Sequence, residues 1–149
     1  MLRCKASQLV EVIWPLVKAD IPVFIHGLSG IGKSQMIRTE LMPLVTQEYG
    51  NSVLHDFRLS SKDITDGTGI PVVDQKENAT IWTRPAFIPK DDGNMHIIFL
   101  DEIGHASAQM QHAVGYQLTL DRALGQYKLP RKNRIILALN KREDKGGDN

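Results

Sequence analysis

Residues 27–34 read GLSGIGKS, and this stretch decides the fold. It matches the pattern G-x-x-x-x-G-K-[ST], which background composition would produce in roughly half a percent of chains of this length. A β-prone run at Val23–Ile25 precedes it and a helical pattern over about Lys33–Met42 follows it, which is the context that a phosphate-binding loop requires. Glycines let the backbone approach a phosphate closely and point successive N–H groups at it. The stretch therefore predicts a phosphate-binding loop between a buried strand and a helix.

The side chains of this loop have distinct expected roles. Lys33 should reach the β- and γ-phosphates of a nucleotide, and the Ser34 hydroxyl should ligate Mg²⁺. The N-terminus of the following helix adds positive potential at the same place. A surface loop in which Ser34 only caps the helix is the alternative. The candidate nucleotide-binding residues form one continuous run: Gly27, Leu28, Ser29, Gly30, Ile31, Gly32, Lys33, Ser34 and Gln35.

Two adjacent carboxylates follow a second apolar run, in the stretch HIIFLDEIGH at 96–105. Burying an unpaired carboxylate is costly, so this pair needs a partner of positive charge. Ligands of open α/β sheets bind beyond the C-terminal ends of the strands, so the ends of Val23–Ile25 and Ile97–Leu100 should meet there. Asp101 would then meet the magnesium ion, and Glu102 would orient or deprotonate an attacking water molecule. A strand followed by a solvated acidic turn is the alternative.

A polar residue also ends the apolar run IILAL at 135–139. Asn140 is uncharged, and its amide would be placed to contact the γ-phosphate or the water molecule. This position makes Asn140 a third candidate catalytic residue, beside Lys33 and Glu102. A turn-forming asparagine is the alternative.

The rest of the chain alternates helical and β patterns, which predicts an α/β fold with a mostly parallel sheet. The predicted elements are a helix capped by Ser7 and running to about Lys18, a strand at Val53–Leu59, a short helix that starts within 60–63 and ends near Gly67, a helix capped by Ser107 and running to about Leu118, and a strand at Ile135–Leu139.

Two segments favour β-hairpins instead. In 69–93, prolines and glycines flank two short β-prone pieces, Ile70–Val73 and Thr80–Thr83, which indicates a hairpin insertion. Leu120–Leu129 is a second candidate hairpin. The polar tail Lys141–Asn149 is expected to be loose.

The composition excludes several classes of protein. Lys plus Arg is 18 and Asp plus Glu is 17, so the formal net charge is +1, without the basic excess of a general nucleic-acid binder. No apolar run approaches the roughly 20 residues needed to span a bilayer, and no secretory leader is visible. The single Cys4 cannot form an internal disulfide, and we expect it to be an inert thiol in the core. These features predict a cytoplasmic protein.

Taken together, the motifs resemble those of the AAA+ ATPases, with GLSGIGKS as Walker A, IIFLDE as Walker B and Asn140 as the sensor-1 residue. Within that superfamily, the segments DITDGTGIPVVD and TIWTRPAFIP are similar to the helix-2 insertion of the MoxR branch, and 101–130 is similar to its pre-sensor region. The resemblance spans about residues 8–144. It implies a three-layer α/β/α fold of the P-loop NTPase type with β-hairpin insertions. It also implies Mg²⁺-dependent ATP hydrolysis, a ring-shaped homo-oligomer and an unidentified client protein.

The sequence departs from that family at its C-terminus. Family members continue into a fifth strand, an arginine finger and a helical lid, whereas this sequence ends nine residues after Asn140. The expectation is therefore an AAA+ core, residues 1–149, truncated after sensor 1, with a free sheet edge. We expect ATP hydrolysis by this sequence alone to be slow or absent, because arginine-finger residues can raise the rate of hydrolysis by a factor of about 10³–10⁵.

Two other functions stay open. Asp101-Glu-Ile-Gly104 matches D-x-x-G, and Asn140-Lys-Arg-Glu143 nearly matches the guanine-reading N-K-x-D of GTPases, although the longer Glu143 side chain would misplace the acceptor. The third possibility is a nucleotide-binding assembly module without turnover.

Overall fold

The computed structural model describes residues 2–140, and the tail at 141–149 lies outside the described residues. Along this part of the chain, eight strands occur. They are β1 (Val23–Gly27), β2 (Ser52–Arg58), β3 (Pro71–Asp74), β4 (Ala79–Trp82), β5 (Met95–Asp101), β6 (Ala123–Leu124), β7 (Tyr127–Lys128) and β8 (Asn133–Asn140). Four of them form the central sheet in the order β1-β8-β5-β2, and every neighbouring pair is parallel.

Four helices connect or precede these strands. Helix α1 (Leu9–Lys18) follows a 3₁₀ turn at Ala6–Gln8. Helix α2 is a continuous stretch at 33–49, built of Lys33–Met36, a π-helical turn at Ile37–Leu41 and Met42–Tyr49. Helix α3 spans Ile64–Thr68. Helix α4 is a second continuous stretch at 108–120, built of Ala108–Met110, a π-helical turn at Gln111–Tyr116 and Gln117–Leu120.

Two hydrophobic cores lie on opposite faces of the sheet. Successive residues of a strand point to opposite faces, and in β5 all seven residues are buried. Ile97 and Phe99 pack with α1 and α2 in the first core. Ile98 and Leu100 pack with α4 and the second hairpin in the other. A sheet covered on both faces makes a three-layer α/β/α fold with a parallel sheet, which confirms the predicted fold class.

Several predictions about helix ends and about the burial of single residues were wrong. Ser7 lies inside the 3₁₀ turn, so it does not cap α1. Helix α2 does not end at Met42 but continues to 49, because Pro43 stands in the first turn of a new α-helical segment, where a missing N–H group is tolerated. The first strand is only half buried: Phe24 is 50% exposed, since β1 pairs with β8 alone among the described residues. Cys4 is exposed and is not part of the core.

Both segments predicted as hairpins contain antiparallel strand pairs. Strands β3 and β4 pair from Pro71↔Trp82 to Asp74↔Ala79, and β6 pairs with β7. The two hairpins touch, because the Trp82 carbonyl oxygen accepts hydrogen bonds from Tyr127 Oη at 2.6 Å and from Gln126 Nε2 at 3.1 Å. The assignment of 69–93 as an insertion into a nucleotide-binding core stays a prediction.

The junction between α3 and the first hairpin depends on one glycine. Gly69 has a left-handed φ of 83°, and a Cβ atom there would collide with the Thr83 carbonyl oxygen. We expect Gly69→Ala to lower the free energy of unfolding by about 2–4 kcal/mol, because strain and a backbone collision add. Gly125→Ala is the matched control: it has φ 56° and open space around its Cβ position, so about 1 kcal/mol is expected. Equal losses in urea titrations of the two variants would contradict this reading of the junction.

No helix within residues 2–140 combines the length and the apolar character that crossing a bilayer requires.

Candidate functional site

The loop between β1 and α2 takes its shape from two glycines. Gly30 and Gly32 have φ angles of 79° and 86°, in the left-handed region that side chains with a Cβ atom rarely adopt. At Gly27 a Cβ atom would lie 2.9 Å from Ile31 Cδ1, the end of an exposed side chain that can move aside. The backbone of this loop therefore favours glycine at positions 30 and 32.

Lys33 lies in the first turn of α2 and is almost fully buried, with 5% of its surface exposed. Its ammonium group donates hydrogen bonds to the carbonyl oxygens of Gly27 at 3.3 Å and Leu28 at 2.8 Å, and to Asn140 Oδ1 at 2.8 Å. Burial lowers the pKa of Lys33, and the charge of Asp101 opposes this shift. The loop thus holds one buried cation, and the end of β8 supplies a neutral amide beside it.

Ser34 and Asp101 meet although 67 residues separate them. The Ser34 hydroxyl donates to Asp101 Oδ2 at 2.7 Å, and Asp101 Oδ1 accepts the backbone N–H of Glu102 at 2.8 Å. Asp101 is 7% exposed and ends the buried strand β5. The oxygen atoms of a hydroxyl and a carboxylate are ligands that Mg²⁺ accepts in proteins.

Glu102 sits directly after β5 in the left-handed conformation, with φ 57°. Its carboxylate accepts a hydrogen bond from Ser60 Oγ and lies 3.6 Å from the Arg58 guanidinium, measured from Oε1 to Nε. Arg58 and Ser60 were not among the predicted site residues. The predicted strand Val53–Leu59 contains Arg58 near its end, but only the parallel pairing of β2 with β5, with Arg58 opposite Asp101, shows that this end reaches the same edge of the sheet.

These residues surround an open cleft of about 290 Å³ at the carboxyl ends of the strands. Its walls are Ser29, Gly30, Gly32, Lys33, Ser34, Gln35, Arg58, Asp101, Glu102 and Asn140. Most of the predicted site residues thus meet in one place. Gly27, Leu28 and Ile31 are the exceptions, because none of them lines the cleft. Leu28 and Ile31 are 51% and 40% exposed, and Gly27 and Leu28 contribute only their carbonyl oxygens, to Lys33.

The donor set fits magnesium bound together with a phosphate better than a metal held by protein alone. Among residues 2–140, no group of three His, Cys, Asp or Glu side chains could hold a metal ion. Mg²⁺ usually keeps several waters and takes one or two protein oxygens plus phosphate oxygens. Ser34 and Asp101 supply that number.

Comparison of the sequence with protein families and with curated proteins finds no match. Among solved structures, the chain is similar to the crystal structure of a "putative ATPase" from Cytophaga hutchinsonii, with a TM-score of 0.58 and 14% sequence identity. The alignment covers 95% of this chain and 41% of that chain, so this chain spans about two fifths of the length of the matched structure. At this identity the likeness concerns the fold alone, which is a three-layer α/β/α domain with a parallel central sheet.

Proposed function

We propose that the chain binds ATP with Mg²⁺ in the cleft and hydrolyses it to ADP and phosphate. The observation that carries the proposal is the 2.7 Å hydrogen bond between Ser34 Oγ and Asp101 Oδ2 beside the buried Lys33. These three residues bring a hydroxyl, a carboxylate and an ammonium group together at the start of α2. The adjoining loop is the one whose glycines suit it to phosphate binding. The fold shared with the Cytophaga hutchinsonii protein supports the same reading.

Each residue of the cleft has a separate proposed role in ATP binding or hydrolysis, which follows from the chemistry of its side chain. The N–H groups of the loop hold the phosphates, and Lys33 moves its hydrogen bonds from Gly27 and Leu28 to phosphate oxygens. Glu102, held by Arg58 and Ser60, accepts a proton from the attacking water. Mg²⁺, when bound by Ser34 and Asp101, neutralises charge that develops on the phosphates.

Asn140 has a positioning role in this proposal. Its amide oxygen accepts from Lys33 at 2.8 Å, which leaves the amide NH₂ group to donate to a phosphate or to the water. Because Asn140 ends a strand buried next to β1 and β5, its position relative to the loop is fixed by the sheet.

Wider functions rest on the resemblance to MoxR-like AAA+ proteins alone. We include in the proposal a ring-shaped homo-oligomer that remodels or assembles a client protein in the cytoplasm. A nucleotide-binding assembly module without turnover is the second candidate, and phosphate release decides between the two.

The base preference tests the proposal against a GTPase. In displacement of a fluorescent ATP analogue in the presence of Mg²⁺, we expect ATP to compete at least as well as GTP. The reason is the sequence alone: Asn140-Lys-Arg-Glu143 carries glutamate where the guanine-reading N-K-x-D pattern has aspartate, and residues 141–143 lie outside the described residues. If GTP competes about tenfold better than ATP, a difference worth about 1.4 kcal/mol, a GTPase function replaces the one proposed.

A further inference from the structure

A second and larger groove of about 520 Å³ lies along strand β2, and none of its lining residues lines the nucleotide cleft. Three consecutive strand residues, His55, Asp56 and Phe57, line it together with residues 83–87. Successive side chains of a strand point to opposite faces, so a groove that touches three in a row follows the edge of the strand. β5 is the one strand that pairs with β2 in the described part of the chain. Backbone N–H and C=O groups of alternate β2 residues therefore face the groove.

The floor of the groove is aromatic and rigid. The rings of Phe57 and Phe87 stack with their centroids 4.1 Å apart and their planes 18° apart. Phe87 is buried and belongs to the second hydrophobic core. Such a surface favours contact with aliphatic side chains of a ligand.

Basic residues outnumber acidic ones at the groove. Lys62 and Arg84 line it, and no ion pair among residues 2–140 involves either of them. Two acidic residues also line it: Asp56 pairs with Arg38, whereas Asp66 accepts only the backbone N–H of Asp63, at 3.1 Å, and keeps its negative charge. Because Lys62, Arg84 and Arg38 together exceed the two carboxylates, the groove favours a ligand that carries carboxylates.

A chain of hydrogen bonds joins His55 to an acidic residue. Hydrogen bonds from His96 and Asn94 lower the pKa of Asp92 to about 2, so its carboxylate is ionised, and Asp92 Oδ1 lies 2.8 Å from His96 Nε2. His96 Nδ1 and His55 Nε2 are hydrogen-bonded at 2.9 Å. Burial, followed by the nearby His96, lowers the pKa of His55. The contact with His96 fixes the position of the His55 ring at the groove.

The groove combines backbone donors and acceptors along a strand edge, an apolar floor and two cations that form no ion pair within residues 2–140. An extended acidic peptide can contact all of these at once. We propose that this groove binds an extended, acidic segment of a partner protein, which adds a strand to the free edge of β2 and places carboxylates beside Lys62 and Arg84. The groove shares no residue with the nucleotide cleft, so this proposal stands independently of ATP binding.

The test uses a fluorescein-labelled synthetic peptide of about seven residues, the length of a typical strand, that alternates glutamate and valine. Fluorescence polarisation should show saturable binding to the full chain. The double variant Lys62→Ala/Arg84→Ala should weaken binding about fivefold or more, since two exposed charge contacts are lost. Lys5→Ala is the matched control: it removes an exposed cation next to α1, and binding should stay unchanged. ATP binding should be equal in all three proteins.

Two modified probes separate the alternatives. The same peptide with N-methylated alternate backbone nitrogens cannot complete a strand ladder and should bind about tenfold more weakly. A peptide alternating lysine and valine should not bind. The proposal would be overturned if the methylated peptide or the lysine peptide bound as tightly as the acidic peptide. It would also be overturned if the double variant bound the acidic peptide as tightly as wild type. Tighter binding of a fluorescein-labelled single-stranded oligouridine than of the acidic peptide would overturn it in favour of nucleic acid.

Discussion

Phosphate release from ATP is expected to fall by about 10²–10⁴-fold when Glu102 is replaced by glutamine, the usual worth of a positioned general base. Glutamine keeps the shape of the side chain and its hydrogen bond to Ser60 but removes the basic carboxylate. ATP affinity should stay nearly constant, because the loop, Lys33 and Asp101 hold the phosphates and the metal. The measurement is phosphate release alongside ATP affinity, in this chain and in a form extended at its C-terminus.

Asp101→Asn is the informative comparison for that prediction. Asp101 accepts a hydrogen bond from Ser34, the other proposed magnesium ligand, so this substitution should weaken Mg²⁺-dependent ATP binding itself. If the Glu102→Gln protein hydrolyses ATP as fast as wild type in the extended chain, Glu102 is not the base. The pair would then be a metal ligand beside an acidic turn.

The second large effect is expected at Lys33. Lys33→Ala should weaken ATP binding by about 10–100-fold, because a hydrogen bond to a charged group contributes about 1.5–3 kcal/mol. The ammonium group already lies among three oxygen acceptors at the base of the loop, and phosphate oxygens would replace them. Equilibrium titration with a fluorescent ATP analogue measures the loss.

Lys5→Ala serves as the charge-matched control for this titration, since Lys5 is exposed and outside the cleft. Thermal unfolding of both variants checks that the fold is retained, because Lys33 also links the loop to the end of β8. Unchanged affinity in a folded Lys33→Ala protein would remove Lys33 from the phosphate site.

Local sequence was sufficient where the required geometry is itself local. The GLSGIGKS stretch predicted a loop between a strand and a helix, and four β-prone stretches predicted the four parallel strands. Ser107 was predicted to cap a helix, and its side chain accepts the Met110 N–H at 3.2 Å. In each case the residue types of a short stretch have a local physical reason to adopt the structure that they adopt.

What the sequence did not reveal depends on contacts between distant residues. A run such as Val23–Ile25 is apolar whether its strand lies at the centre or the edge of a sheet, so the exposure of Phe24 followed only from the strand order. The contacts of Glu102 with Arg58 and Ser60 join residues more than 40 positions apart. The hydrogen bond between His55 and His96 has the same origin, because the two residues lie on neighbouring parallel strands, two register positions apart.

We propose above that the cleft at the ends of β1, β5 and β8 binds Mg²⁺ and a nucleotide. A titration of the isotope-labelled chain with ATP and Mg²⁺, followed by the backbone amide resonances, measures this binding residue by residue. We expect saturable shifts at 29–35, at Asp101 and Glu102 and at Asn140, which reverse when Mg²⁺ is chelated, while the hairpin at 71–82 stays unchanged. Absence of saturable shifts at millimolar ATP, or shifts centred on the β2 groove instead of the loop, would contradict it.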